Sequence, residues 1–151
     1  SGKKDLGLIA MSYKNVYVGR IAMGANDAHS LKVIQEAEAH NGPSLILAYC
    51  PCIAHGFDLN NQLAHQKMAV ESGYWPLMHY NPALVAEGKS PLILDSKTPT
   101  IPVADYIYTE NRYKMLVKSN PEAAKALVEQ LQKEVDARYA FYADMAAEKN
   151  P

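Results

Sequence analysis

The sequence has almost no excess charge and no long apolar run. Its formal net charge is −1 over 151 residues, and its lysines and arginines are scattered rather than clustered. Such a distribution offers no basic surface for nucleic acid or for an anionic membrane. No stretch approaches the roughly 20 apolar residues that a membrane-spanning helix needs. We therefore expect neither a nucleic-acid nor a membrane partner.

Cysteine is scarce as well, since only Cys50 and Cys52 occur. A disulfide between them would close a very small and strained ring, so we expect two free thiols. Free thiols indicate a reducing compartment, most simply the cytoplasm. Two thiols are also too few for a complete iron–sulfur site, because such clusters generally take four thiolates.

The remaining composition is that of an ordinary globular protein, with 48% apolar and 21% charged residues. Segments of strand and helical character alternate, which predicts an α/β fold. Strands are predicted at residues 16–22, 45–49 (buried) and 91–95, and 74–80 is extended, with Pro76 indicating an edge strand or a bulge. The first two strands flank a helix, and a strand–helix–strand unit is by default parallel and right-handed.

Apolar spacing and capping residues predict three helices. A short helix covers residues 5–13, and a second begins at Asn26 or Asp27. The residues predicted to face the core are Leu6, Ile9 and Ala10 in the first helix and Leu31, Ile34 and Ala37 in the second. A long C-terminal helix starts at Asn120 and Pro121. Its apolar positions, three or four residues apart, are Ala124, Val128, Leu131, Val135, Tyr139 and Tyr142.

The run Pro-Cys-Ile-Ala-His-Gly at residues 51–56 follows directly on the predicted strand 45–49. Ligands of open α/β sheets collect beyond the carboxyl ends of strands, and proline and glycine favour a sharp turn around the thiol. Cys52 is therefore a candidate ligand of a metal or cluster, although a small buried hydrophobe is the alternative. His55 is a second ligand, a hydrogen-bond partner of a sulfur, or an ordinary loop residue. One thiol makes no site, so the companions of Cys52 would lie elsewhere.

Two other kinds of site have weaker support. A nucleophilic Cys–His pair needs a base in reach and an oxyanion hole, and no nucleophile elbow accompanies Cys52. Residues 23–26 (Met-Gly-Ala-Asn) precede a helix, where an anion can bind, but they lack the full glycine pattern of a phosphate loop. The remaining histidines are predicted to lie on the surface without a role: His29, His40, His65 and His79.

Seven motifs occur in order along the chain, at residues 3–13 (KKDLGLIAMSY), 16–18, 23–26, 42–46, 51–56, 73–77 (GYWPL) and 94–97. In these motifs the sequence resembles the pyruvate:ferredoxin (flavodoxin) oxidoreductase family. The resemblance implies that residues 1–151 form the C-terminal half of a thiamine-diphosphate-binding domain. The implied fold is an α/β core over about residues 1–95, with a mostly parallel sheet flanked by helices. A loop and a helical tail that contains the long C-terminal helix follow over residues 96–151.

The resemblance also implies a function. In that family the full enzyme converts pyruvate and coenzyme A to acetyl-CoA and carbon dioxide, using thiamine diphosphate, Mg²⁺ and three 4Fe-4S clusters, and passes electrons to ferredoxin or flavodoxin. Cys52 occupies the position of a ligand of the cluster next to thiamine diphosphate. The other ligands would come from the rest of the polypeptide, in a homodimer when full length.

The family's Gly-Asp-Gly…Asn motif for thiamine diphosphate and Mg²⁺ does not occur in this chain, so we expect the segment alone to be inactive. Cys50, where relatives usually carry Ser or Ala, is expected to have no function. The alternative is a freestanding α/β binding or assembly module without redox activity. A sequence that starts at Ser1 without an initiator Met favours the segment. A segment is also expected to expose apolar surface where its missing partner packs.

Overall fold

A computed structural model describes residues 4–147 of the chain. Ser1, at which the sequence starts, lies outside the described residues. The strands are β1 (Tyr17–Ile21), β2 (Ser44–Ala48), β3 (Met78–Tyr80) and β4 (Leu92–Leu94). The helices are α1 (Leu6–Met11), α2 (Asp27–Ala39), α3 (Gln62–Glu71), α4 (Val103–Ile107), α5 (Asn111–Ser119) and α6 (Pro121–Ala147). Short 3₁₀ turns lie at Ile53–His55, Leu59–Asn61 and Pro82–Glu87. The α/β class and the long C-terminal helix are confirmed.

The expected mostly parallel sheet is corrected to a mixed one, with strand order β2-β1-β3-β4. β1 and β2 are parallel, because α2 crosses over between them. The pairs β1–β3 and β3–β4 are antiparallel. The connection at residues 81–91 is too short for a full crossover, which takes a dozen or more residues, so the chain returns in the opposite direction.

Two strands differ from their predicted positions in the sheet. β3 is internal, pairing with β1 and β4. Pro76 indicated an edge, but β3 begins at Met78, so the proline lies outside the ladder and removes none of its bonds. β2 was predicted to be buried, yet it is an edge strand with half-exposed and exposed side chains, since nothing among the described residues pairs with its outer side.

The predicted inner face of α2 was wrong except at Ala37, which is half-buried against the core. Leu31 and Ile34 are 58% and 43% exposed, whereas Val33 and its neighbours on that face, His29 and Ser30, are buried. The cause lies in the sheet, where Gly19 of β1 has no side chain. A Cβ atom at Gly19 would lie 2.3 Å from Val33 Cγ1, so α2 rests directly on the strand backbone at this point. Similarly, α1 buries Gly7, Ala10 and Met11 and exposes the predicted inward residues Leu6 and Ile9.

The inner face of α6 was predicted correctly. Asn120 caps it by accepting a hydrogen bond from Ala123 N at 3.1 Å. Val135 packs with Val103, Tyr106 and Ile107, and Tyr142 is fully buried in the cluster formed by Val18, Met78 and Leu92. Helix α6 thus closes the sheet core rather than extending from it. Although α6 has 27 residues, neither it nor another helix in residues 4–147 has the length and apolarity to cross a membrane.

The carboxylate of Asp5 connects three elements. It caps α1 by accepting a hydrogen bond from Leu8 N at 3.2 Å, and it lies 3.1 Å from Arg20 Nη2 on β1. The hydroxyl of Tyr142 on α6 donates a third hydrogen bond. Burial alone would raise the pKa of Asp5, but the Tyr142 hydroxyl and the Arg20 charge outweigh burial and hold the pKa below its usual value.

We predict that Asp5→Asn lowers the free energy of unfolding by about 2–4 kcal/mol at pH 7, because Arg20 remains buried without a counter-charge. Asparagine can still cap α1, so the loss of stability reports the removal of the charge alone. Since the folded pKa lies below the unfolded one, this stability is present above about pH 4 and is lost as pH falls through the folded pKa. Urea unfolding at several pH values should therefore show the difference between wild type and variant shrinking in acid. A difference that is independent of pH would contradict the assigned role of the charge.

Candidate functional site

The segment that contains Cys52 lies at one edge of the sheet. Because β1 and β2 are parallel, their carboxyl ends meet there, followed by residues 23–26 and 51–56 respectively. Cys52 has extended backbone and precedes the 3₁₀ turn Ile53–His55. Gly56 ends that turn with φ of 73°, a left-handed conformation that favours glycine. The structure therefore places Cys52 beyond the carboxyl end of β2, as the sequence predicted.

Cys52 and Cys50 are exposed free thiols, so the buried-hydrophobe alternative for Cys52 was wrong. The Cys50 sulfur makes only a long contact, 3.7 Å, with the carbonyl oxygen of Pro51. An exposed thiol on an extended backbone is available to a metal from outside the chain. With two cysteines in all, the chain fits an iron–sulfur cluster as a contributor of part of the ligand set.

The Cys52 loop, residues 50–57, is anchored to the start of α5. The amide of Asn111 donates a hydrogen bond to Gly56 O at 3.0 Å. A Cβ atom at Gly56 would lie 2.8 Å from Asn111 Cβ, so the two backbones approach as closely as a glycine allows. His55 lies with Nδ1 3.9 Å from Glu110 Oε1, an ion-pair distance rather than a hydrogen bond.

A buried polar network supports this loop from below. Glu110 is 1% exposed and contacts His65 Nε2 at 3.1 Å and the guanidinium of Arg112. His65 Nδ1 pairs with Thr109 Oγ1 at 3.0 Å, and Phe57 stacks on the imidazole ring at 4.5 Å. His65 was predicted to be a surface residue, which is wrong. Burial lowers the pKa of His65, although the Glu110 charge acts in the opposite direction.

Residues 23–26 do not present an anion site. Gly24 N donates to Gln66 Oε1 at 2.9 Å, and the amides of Ala25 and Asn26 both donate to Ala22 O. The Asn26 side chain caps α2 through His29 N. These amides are bonded within the protein, so the weak phosphate hypothesis has no structural support.

A second polar cluster, formed by His29, His79 and Asp95, lies beneath α2. Asp95 Oδ2 is 2.9 Å from His29 Nε2 and 2.7 Å from His79 Nδ1. Burial alone would raise the pKa of Asp95, but the hydrogen bonds from His29 and His79 lower it to about 2, so the carboxylate is ionised. Both histidines are buried, whereas the sequence predicted them on the surface. The sequence held one signal of a polar contact in this region. His29 and Glu36 lie seven residues apart, which places them on the same face of the predicted helix, and Glu36 lies 3.6 Å from His79 in the structure.

Exposed apolar side chains surround the edge that carries Cys52. Met23 and Ile53 follow β1 and β2, and Leu59 and Leu63 belong to the segment that packs beside residues 23–24. Exposed apolar side chains are expected on a segment where another part of a larger protein packs. We call these four residues the edge patch.

The anchoring of the loop predicts a contrast between two glycines. Gly56→Ala should lower the free energy of unfolding by about 2–4 kcal/mol, from left-handed strain and a clash with Asn111. Gly88 also has positive φ, 68°, but apart from Gly88 and its two chain neighbours no described residue comes within 4 Å of the point that a Cβ atom would occupy there. Gly88→Ala should therefore cost only about 1 kcal/mol. Urea unfolding of both variants checks the contrast, and equal losses would contradict the close packing of Gly56 on α5.

The chain is similar in sequence to known oxidoreductases, although no protein-family model matches it. It is 54% identical over 147 residues to the pyruvate-flavodoxin oxidoreductase of Trichormus variabilis, covering 97% of this chain and 12% of that protein. It is 49% identical over 144 residues to the pyruvate:ferredoxin oxidoreductase of Moorella thermoacetica, covering 95% of this chain and 12% of that protein.

A more distant relative shows the same coverage. The probable pyruvate-flavodoxin oxidoreductase of Escherichia coli is 43% identical over 152 residues, which cover 98% of this chain and 13% of that protein. The chain thus spans about 12–13% of the length of these relatives. The family resemblance is confirmed: nearly the whole chain is similar in sequence to one short segment of the pyruvate-flavodoxin and pyruvate:ferredoxin oxidoreductases.

Proposed function

We propose that this chain is a segment of a 2-oxoacid oxidoreductase that converts pyruvate and coenzyme A to acetyl-CoA and carbon dioxide. Its electrons pass through 4Fe-4S clusters to ferredoxin or flavodoxin. The observation that carries the proposal is the identity of 43–54% along nearly the whole chain to relatives that bear these names. The place of the segment, in the C-terminal half of a thiamine-diphosphate-binding domain, is part of the proposal.

Within that enzyme Cys52 supplies one thiolate to the cluster next to thiamine diphosphate. Its exposed sulfur at the sheet edge supports this role. A bound 4Fe-4S cluster supplies one-electron transfer at low potential. Pro51 and Gly56 bound the loop that holds the thiolate, and the Glu110 network fixes that loop against α5. The exposed side chain of Ile53 would exclude water beside the sulfur, which is one way in which a protein sets a cluster potential.

The rest of the polypeptide is the principal partner. We assign thiamine diphosphate, Mg²⁺ and the groups that contact pyruvate to it, because the residues of this chain offer no recognisable motif for them. The edge patch gives the segment an apolar surface for this contact. A homodimer, ferredoxin or flavodoxin as acceptor and a cytoplasmic location complete the proposal; the two free thiols fit a reducing compartment.

The two cysteines permit a matched test in the full-length polypeptide. Cys52→Ala should remove or destabilise one cluster, lowering the iron content by up to about four atoms per polypeptide. Electron transfer from pyruvate to the acceptor should fall with it. Cys50→Ser, two residues away and also exposed, should keep iron content and turnover. Iron analysis, EPR spectroscopy and acceptor reduction measure these effects. Normal iron content and turnover in Cys52→Ala would refute the ligand role.

The isolated 151-residue chain should not reduce a viologen dye with pyruvate and coenzyme A, because the proposal places the thiamine site outside it. The full-length polypeptide, assayed at equal molar concentration, is the positive control. Pyruvate-dependent reduction by the isolated chain would contradict this division. A natural polypeptide of only 151 residues that contains no iron would favour the freestanding binding module instead.

A further inference from the structure

We propose that His29, His79 and Asp95 form a binding site for a divalent transition-metal ion, with Zn²⁺ the best match to their donor atoms. Each residue offers one ligand atom, and the three atoms lie within 4.8 Å of one another. Two imidazole nitrogens and one carboxylate oxygen are ligands that Zn²⁺ takes in proteins. The site lies on the sheet face beneath α2 and does not depend on the role of Cys52.

The fold brings the three ligands together from different elements. His29 lies in the first turn of α2, His79 is in β3, and Asp95 directly follows β4. His79 is the register partner of Gly19 in β1, the residue whose missing side chain lets α2 approach the sheet. The close approach at Gly19 therefore also lowers His29 towards His79.

The distances allow an ion after a small adjustment. Zinc at about 2.0–2.1 Å from each ligand atom in a tetrahedral arrangement sets those atoms about 3.3 Å apart. Asp95 Oδ2 is now 2.9 Å from His29 Nε2 and 2.7 Å from His79 Nδ1. Each of these two contacts would lengthen by about half an ångström in a zinc site. The distance between the two imidazole ligand atoms, which is at most 4.8 Å, would adjust at the same time.

Neighbouring groups suit the protonation state that metal binding requires. A ligating imidazole carries its proton on the other ring nitrogen, where it usually meets a carboxylate. On His79 that nitrogen, Nε2, lies 3.6 Å from Glu36 Oε2, and the Tyr17 hydroxyl holds this carboxylate with a hydrogen bond of 2.9 Å. On His29 the other nitrogen, Nδ1, is buried and has no hydrogen-bond partner among the described residues, so it is free to take the ring proton. A metal on Nε2 would replace the present hydrogen bond between Nε2 and Asp95 Oδ2.

An ion also has a route to the site and an open position. The side chains of His29 and His79 are 7% and 2% exposed, whereas that of Asp95 is 15% exposed. Asp95 lines a cavity of about 240 Å³ together with Ser96 and Asn26. Three protein ligands would leave the fourth tetrahedral position of Zn²⁺ to a water molecule. A bound ion would link α2, β3 and the segment after β4.

The test uses the 151-residue chain without a histidine tag, with Cys50→Ser and Cys52→Ser so that the thiols bind no metal. Binding of Co²⁺ is followed by its visible absorption, and binding of Zn²⁺ by competition and by thermal unfolding. The ligand variants are His29→Gln and His79→Gln. His40→Gln is the matched control, since His40 follows α2 at its far end and lies outside the cluster. Circular dichroism verifies that every variant is folded.

We expect one ion per chain and, at a Zn²⁺ concentration about one hundred times Kd, a rise in Tm of about 5–10 °C. His29→Gln and His79→Gln should each weaken binding at least tenfold, and His40→Gln should leave it unchanged. Absence of binding by the folded chain, or equal binding by all variants, would overturn the proposal. If the chain does not unfold cooperatively, the zinc content of the full-length polypeptide decides the question, wild type against His29→Gln.

Discussion

The ion pair between Asp5 and Arg20 is the interaction on which the arrangement of the described chain depends most. Arg20 is buried in β1, and its Cζ atom lies over the Trp75 ring, 4.9 Å from the ring centroid. A buried charge without a partner costs several kcal/mol. The partner of Arg20 comes from the residue that caps α1, and Tyr142, 137 positions further along, donates to the same carboxylate. This single carboxylate therefore fixes α1 and α6 against β1.

The sheet that this ion pair connects to α1 and α6 carries two separate polar regions. The Cys52 loop lies at the carboxyl edge of β1 and β2, and Asn111 at the start of α5 holds it through a hydrogen bond to Gly56 O. The cluster of His29, His79 and Asp95 lies on the face that α2 covers. The edge region suits contact with a group from outside the chain, whereas the face region suits a group enclosed by it. The role proposed for Cys52 rests on the family resemblance, and the metal site proposed at the second region rests on geometry alone.

Local sequence signals predicted the α/β class, the inner face of α6 and the Cys52 loop correctly, because caps, periodicity and proline–glycine turns act over a few residues. They failed where distant residues decide. Leu31 and Ile34 had the right spacing for burial, but Gly19 draws the opposite face of α2 to the sheet. Likewise, His65 and Glu110 are 45 residues apart, and no local pattern connects them. The mixed sheet escaped prediction because strand direction depends on the lengths of connections.

We propose that this chain functions as one segment of a much larger iron–sulfur oxidoreductase. The most direct test of this proposal is the intact mass of the natural polypeptide, with iron and acid-labile sulfide counted in the same sample. Because the chain spans about 12% of its relatives, we predict a mass roughly eight times 16.7 kDa, with iron and sulfide in equal amounts. A natural polypeptide of 16.7 kDa that contains neither iron nor sulfide would contradict the account.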